Sequence, residues 1–291
     1  EGLAIEKLEK EWTAYPVLNF DLSKGKHMEN EQLEEYLGYL LEDYEKKYGI
    51  ENHRNGNNNR FNDLIEVVYR KTGRQVVVLI DEYDAPLLDV AHEKEKLDDL
   101  RNTMRNFYSP LKGNESMLRF VFMTGITKFS QLSIFSELNN IKNVSMKLPY
   151  AGICGITKEE LLTQMSDDID ELAENLEQSR EETIEELKSH YDGYHFCWPS
   201  PDVFNPYSLL NCFADGEIDS YWFGTGTPTY LINMMRQYDF LPADLGETIE
   251  VDKKDFDAPT ETMTTIIPLL YQSGYVTIKG YDKPTKLYLL A

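Results

Sequence analysis

A chain of 291 residues is long enough for one large domain or two ordinary ones, each with a proper core, so neither disulfides nor a structural metal is needed to hold it together. Its 41% hydrophobic and 12% aromatic residues are those of a globular protein, and no apolar run reaches the roughly 18 residues that cross a bilayer. The net charge of −22, from 51 acidic and 29 basic residues, disfavours tight non-specific binding to nucleic acid or anionic membranes, while local patches stay open to either.

Three cysteines (Cys154, Cys197, Cys212) lack disulfide or zinc-ligand spacing, which predicts a reducing, cytoplasmic setting. The chain opens on Glu1 with no Met and no apolar leader, so it is expected to be part of a longer polypeptide.

In chain order, Pro16 to Leu22 reads as a strand. A helix follows with apolar or aromatic residues at Leu33, Tyr36, Leu37, Leu40, Leu41 and Tyr44, ending at Gly49. The Asn/Gly-rich stretch Asn52 to Arg60 predicts a loop, and Phe61 to Thr72 predicts a second helix that stops before Gly73. Gln75 to Ile80 and Leu118 to Thr124 are near-continuous apolar runs, the pattern of parallel strands covered by helices on both faces. Ligands of such open α/β sheets bind outside the carboxyl ends of the strands.

After Ser130 the pattern changes, and a domain boundary is placed near residue 150, dividing 1–150 from 151–291. Thr157 with Glu160 forms a capping box, Pro206 opens a helix, and Thr227 or Thr229 caps another. Asp167 to Glu186 carries ten acidic residues against Arg180 alone, which reads as a solvated face or a docking surface. The tail runs from helix to Gly274, then strand, turn and strand, the plan of a winged-helix module, with Lys279, Lys283 and Lys286 on the hairpin.

The chemistry concentrates where the Val76 to Ile80 run ends in Asp81, Glu82, Tyr83 and Asp84, followed by Pro86. Two readings stand for it. These are solvated carboxylates at a strand end, or a site in which Asp81 binds Mg²⁺ and Glu82 polarises a water that attacks a γ-phosphate. The next strand ends in Thr124, Gly125, Thr127 and Lys128, and Thr124 is the candidate polar group contacting phosphate or water; its alternative is a hydroxyl that caps the strand. A metal-dependent nuclease centre would need an Asp and a Glu-x-Lys on neighbouring strands, but Glu45 to Lys47 and Glu186 to Lys188 fall in helical stretches.

The strings "VVVLIDEYDAPL", "FVFMTGITKFS", "YDGYHF", "NPYSLL", "GTGTPTYLI" and "LLYQSGYVTIKGYD", in this order, resemble a bacterial family of predicted AAA-type ATPases whose longer members often end in a PD-(D/E)XK nuclease-like domain. The resemblance implies a P-loop NTPase-like α/β fold with helices on both faces of a parallel sheet, then a helical lid and a winged-helix-like region. It also implies that Asp81 and Glu82 match the second acidic nucleotide motif (Walker B), with Asp81 as metal and cofactor ligand, and that Thr124 matches the sensor strand. Implied cofactors are ATP and Mg²⁺. Implied partners are a nuclease-like domain in cis and further copies of the chain, with Arg101, Arg105 and Arg119 as candidate arginines acting in trans. No role attaches to "YDGYHF", where His195 reads as structural rather than as a catalytic base.

The sequence departs from the family in one respect. No Gly-Lys-Ser or Gly-Lys-Thr loop occurs, and Gly25-Lys26 precedes His27 without the upstream glycine. The loop and first strand are therefore expected before Glu1, and the chain alone is expected to be inactive or nearly so. The alternative is a non-enzymatic switch or interaction module with a degenerate nucleotide site.

Overall fold

The computed structural model describes residues 5–24, 29–51, 55–128, 140–224, 229–246 and 248–291. Gly25-Lys26, Asn52 to Arg54 and Thr227 lie outside them. The chain divides into two compact units, Glu1–Ile141 and Lys142–Ala291.

The first unit is α/β. Its three parallel strands, β1 (Val17–Asp21), β2 (Val76–Asp81) and β3 (Leu118–Met123), lie in the order β1-β2-β3. The register pairs Leu18 with Val78, Phe20 with Ile80 and Asp21 with Asp81. On β3, Val121 pairs with Val78 and Met123 with Ile80. Side chains alternate across a strand, so Leu18, Phe20, Val78 and Ile80 share one face.

That face is buried under three helices, Asn30–Lys47, Asn57–Thr72 and Lys94–Tyr108. Phe20 is the contact point for all three: its ring lies 5.7 Å from Tyr44, 5.1 Å from Phe61 and 5.9 Å from Phe107, each edge-on. Phe61 and Phe107 stack on each other at 5.1 Å. Edge-to-face and offset pairs at these distances add to the burial of the rings themselves.

The opposite face departs from expectation. Val17 and Phe120 on it are exposed, and Val77, Leu79 and Phe122 are half-buried. The apolar run of β2 is therefore buried in alternation, at Val76, Val78 and Ile80, while β3 has no fully buried residue, with Val121 and Met123 half-buried.

The free edge of β1 is closed by two tyrosines of the Asn30–Lys47 helix. Tyr44 Oη accepts from the Asn19 N–H (2.8 Å) and donates to the Asn19 carbonyl (3.1 Å), while Tyr36 Oη donates to the Asp21 carbonyl (2.7 Å). Eight residues of helix advance about 12 Å, so one helix reaches both points of the edge.

The first two helices are locked by Glu45, 1% exposed, which receives Arg60 Nε (2.9 Å) and Nη2 (2.7 Å). Arg60 Nη2 also donates to the Gly38 carbonyl (3.0 Å), and a Cβ on Gly38 would stand 2.9 Å from Arg60 Nη1.

The second unit begins with β4 (Ile156–Thr157), paired antiparallel with β5 (Val203–Phe204). The expected capping box is present: Glu160 N–H donates to Thr157 Oγ1 (3.3 Å) and Thr157 N–H to Glu160 Oε2 (2.8 Å). Ser179 and Glu182 form a second one at the head of the Arg180–Tyr191 helix. Leu161, Ile169, Leu172, Leu187, Phe204 and Leu209 make the core of this helical part.

The expected terminal hairpin is present as β7 (Ile278–Asp282) and β8 (Leu287–Leu290), after the helix Ile267–Gln272. It is not a two-stranded wing. A short strand, β6 (Ile249–Val251), pairs with β8, giving the order β6-β8-β7.

"YDGYHF" fastens this sheet to the helical part. Tyr194 Oη donates to the Tyr271 carbonyl (2.8 Å), Tyr271 Oη donates back to the Phe196 carbonyl (3.1 Å), and His195 N–H donates to Thr277 Oγ1 (2.8 Å).

Removing Arg60 would take two charge-assisted hydrogen bonds and one positive charge away from the buried Glu45 carboxylate. Arg60→Met is expected to lower stability by about 3–5 kcal/mol, and adding Glu45→Met to restore most of it. Urea denaturation of the two single variants and the double variant measures this.

Candidate functional site

Parallel strands bring their carboxyl ends to one edge of the sheet, and here that edge is acidic. Asp21 ends β1, Asp81 ends β2, and Thr124 follows the last residue of β3. The Asp21 and Asp81 backbones are register partners, about 4.8 Å apart between neighbouring strands.

The structure brings Asp81 and Thr124 together: Thr124 Oγ1 donates to Asp81 Oδ1. Thr124 is held from behind as well, since its N–H donates to the Ile80 carbonyl (2.9 Å) and its carbonyl accepts from Tyr83 N–H (2.8 Å). Asp81 and Thr124, with Asn19, Leu79, Ile80 and Phe122, line a shallow open depression of about 250 Å³.

Glu82 leaves the strand in the left-handed region, at φ 54°, which side chains other than glycine rarely adopt. That turn lets two consecutive residues serve one edge instead of pointing to opposite faces. Partial burial, then the charges of Asp84, Asp81 and Asp21, push the Glu82 carboxyl up to about 7. Such a group exchanges a proton near neutral pH, as a general base must.

Asp84 is wholly buried. Its Oδ1 accepts from Ile126 N–H (3.1 Å), and its Oδ2 accepts from Thr127 N–H and from Thr127 Oγ1, both at 2.6 Å. Burial raises its carboxyl above the usual range, and these three donors oppose that rise. Tyr83 Oη donates to the Thr127 carbonyl (2.9 Å), and the buried Tyr108 Oη donates to the Tyr83 carbonyl (3.2 Å). Gly125 fits in the space that remains, where a Cβ would meet Asp84 Oδ1 at 2.4 Å and the Tyr83 ring at 2.6 Å.

Two residues at this edge escaped the sequence reading. Asp21 carries the same signal as Asp81, an apolar strand ending in Asp, in a shorter and more polar run. Its carboxylate accepts from Ser23 N–H (2.9 Å) and Ser23 Oγ (2.6 Å), which hold it below the usual carboxylate range, with Lys24 Nζ at 3.6 Å. Tyr83, to which the sequence reading gives no role, is a tether between this turn and residues 124 and 127.

The candidate arginines lie elsewhere. Arg101 pairs with Asp98 (2.8 Å) and Arg105 donates to Asn102 (3.0 Å), both on the Lys94–Tyr108 helix. Arg119 is at the amino end of β3, over the Tyr15 ring and at the far end of the strand from Thr124. Glu45 to Lys47 and Glu186 to Lys188 both lie in helices.

Hard carboxylate and hydroxyl oxygens fit Mg²⁺, which keeps several waters and takes only one or two protein carboxylates. Among the described residues no group of three or more His, Cys, Asp or Glu side chains could enclose a metal ion. No helix is long and apolar enough to cross a membrane among them.

Residues 1–135 match the model of a family described as "Predicted AAA-ATPase". An Azotobacter chroococcum mcd 1 protein, described as an uncharacterized protein in the vnfD 5' region, is 32% identical over 269 residues, covering 91% of this chain and 49% of its own length. The chain thus spans about half the length of that relative. No solved structure matches.

Because its folded pKa of about 7 lies above the 4.5 of an ordinary glutamate, Glu82 binds its proton more tightly in the folded state. Its contribution to stability is complete below about pH 4.5 and is lost as pH rises to about 7. Glu82→Gln is therefore expected to be more stabilising, relative to wild type, near pH 8 than near pH 4.5, as read by thermal melting at the two pH values.

Proposed function

We propose that this chain supplies the metal and water-activating half of a Mg²⁺-dependent ATP-hydrolysing centre. The observation that carries the reading is the Thr124 hydroxyl on the Asp81 carboxylate, beside the half-buried Glu82, at the carboxyl edge of a parallel sheet. The match of residues 1–135 to a predicted AAA-ATPase family supports it.

In this reading Asp81 holds Mg²⁺ directly or through its waters, and Thr124 keeps that carboxylate oriented while presenting its oxygen to phosphate or water. Glu82 takes the proton of the attacking water, a step favoured once the carboxyl is ionised above about pH 7. Bound Mg²⁺ would neutralise charge that builds on the phosphoryl oxygens. No residue of this chain is assigned to cradling the β- and γ-phosphates, because no Gly-Lys-Ser or Gly-Lys-Thr string is present. Residues 151–291 take the place of the lid and winged-helix-like region, supported by the helices of that unit and by the Ile267–Gln272 helix leading into β7 and β8.

The test is steady-state ATP hydrolysis with Mg²⁺ by the natural protein that carries this chain, wild type against Glu82→Gln. Loss of a general base is expected to lower kcat by about a hundredfold or more. A wild type that hydrolyses ATP no faster than the variant overturns the enzyme reading and favours the non-enzymatic switch.

A further inference from the structure

We propose that Asp84 is the positioning residue of this edge: by binding the backbone of Ile126 and Thr127 through both its oxygens, it fixes where the Thr124 hydroxyl stands against Asp81 and Glu82. The proposal rests on the hydrolytic reading above and extends it to a residue that touches neither metal nor substrate.

The location does not require a charge for packing. Tyr83, Leu87, Leu88 and Tyr108 around it in the sequence and the fold are buried, and an apolar side chain of similar volume is often tolerated in place of a buried ionic group. What a carboxylate adds is direction. Its two oxygens accept from two successive backbone N–H groups and one hydroxyl, so both Ile126 and Thr127 are set in place at once.

The remaining contacts carry that placement to Thr124. Only Gly125 separates Thr124 from Ile126, and a side chain at Gly125 would collide with Asp84 and Tyr83. Tyr83 adds a tether on each side of the glycine, from its N–H to the Thr124 carbonyl (2.8 Å) and from its Oη to the Thr127 carbonyl (2.9 Å). Residues 124 to 127 are thereby held at both ends against Tyr83 and Asp84, while Asp81 and Glu82 are the two residues immediately before them. Any shift of residues 126 and 127 displaces the Thr124 hydroxyl relative to both carboxylates.

An asparagine cannot reproduce this. It presents one acceptor oxygen and an NH₂ that faces donors, so at least one of the three hydrogen bonds is lost. Thr127→Val removes the hydroxyl bond alone, and Thr127→Ser keeps it.

The test uses the natural protein that carries this chain, with Asp84→Asn, Thr127→Val and Thr127→Ser, read by backbone hydrogen exchange and by ATP hydrolysis. Asp84→Asn and Thr127→Val are expected to speed exchange at Tyr83, Ile126 and Thr127 while leaving Val78 in the core strand unchanged. They are also expected to lower kcat on the order of tenfold to a hundredfold with KM for ATP unchanged. Thr127→Ser is expected to restore both readouts. Wild-type exchange at Ile126 and Thr127 overturns the proposal, as does faster exchange with wild-type kcat, or Thr127→Ser as impaired as Thr127→Val. If Asp84→Asn does not fold, the two Thr127 variants decide the matter. A wild type without ATPase activity would end the hydrolytic reading, and exchange alone would then judge the positioning role.

Discussion

At the carboxyl edge of the first unit's sheet, two strand exits meet on one buried carboxylate, Asp84. Asp84 has no access to water, and Ile126 N–H, Thr127 N–H and the Thr127 hydroxyl offset the cost of burying its carboxylate. Those donors come from the segment after β3, while Asp84 follows β2. One group therefore ties the exits of two neighbouring strands, and the Thr124 to Asp81 bond forms between the strand ends so joined. Glu82, in the left-handed region between Asp81 and Tyr83, takes its place from residues fixed on either side of it.

The rest of the unit supports that edge from behind. Phe20 and the rings of Tyr44, Phe61 and Phe107 anchor the helical layer to the face of β1 and β2. Tyr36 and Tyr44 cover the outer edge of β1, leaving its carboxyl end in register with Asp81. The acidity of the edge has an electrostatic consequence. Burial and three neighbouring carboxylates raise the Glu82 carboxyl to about 7, so a group that is ordinarily ionised becomes one that titrates near neutrality.

Much of this was legible in the sequence where period and capping chemistry agree. The apolar spacing of Leu33, Leu37 and Leu41 marked a helix face that is buried, Thr157 with Glu160 marked a capping box that forms, and the apolar runs before Asp81 and Thr124 marked adjacent parallel strands. What was not legible depends on partners distant in sequence. A near-continuous apolar run implied cover on both faces, but Val77 and Phe120 face a side that the described residues leave partly open. The third strand Ile249–Val251 is too short to declare itself, and exists through its pairing with β8. Gly125 stands out in the sequence only as a glycine at a strand end, and Tyr83 not at all; the close approach that links them appears only in the fold.

The proposed function divides the labour between adjacent carboxylates: Asp81 for the metal, Glu82 for the proton. Calorimetric titration of ATP into the natural protein, as wild type, Asp81→Asn and Glu82→Gln, with and without Mg²⁺, tests it most directly. With that division, Glu82→Gln is expected to bind ATP as wild type does, and Asp81→Asn to bind about tenfold or more weakly in Mg²⁺, a difference of about 1.4 kcal/mol or more, but equally without it. Equal binding by all three in the presence of Mg²⁺ would rule out Asp81 as the metal ligand.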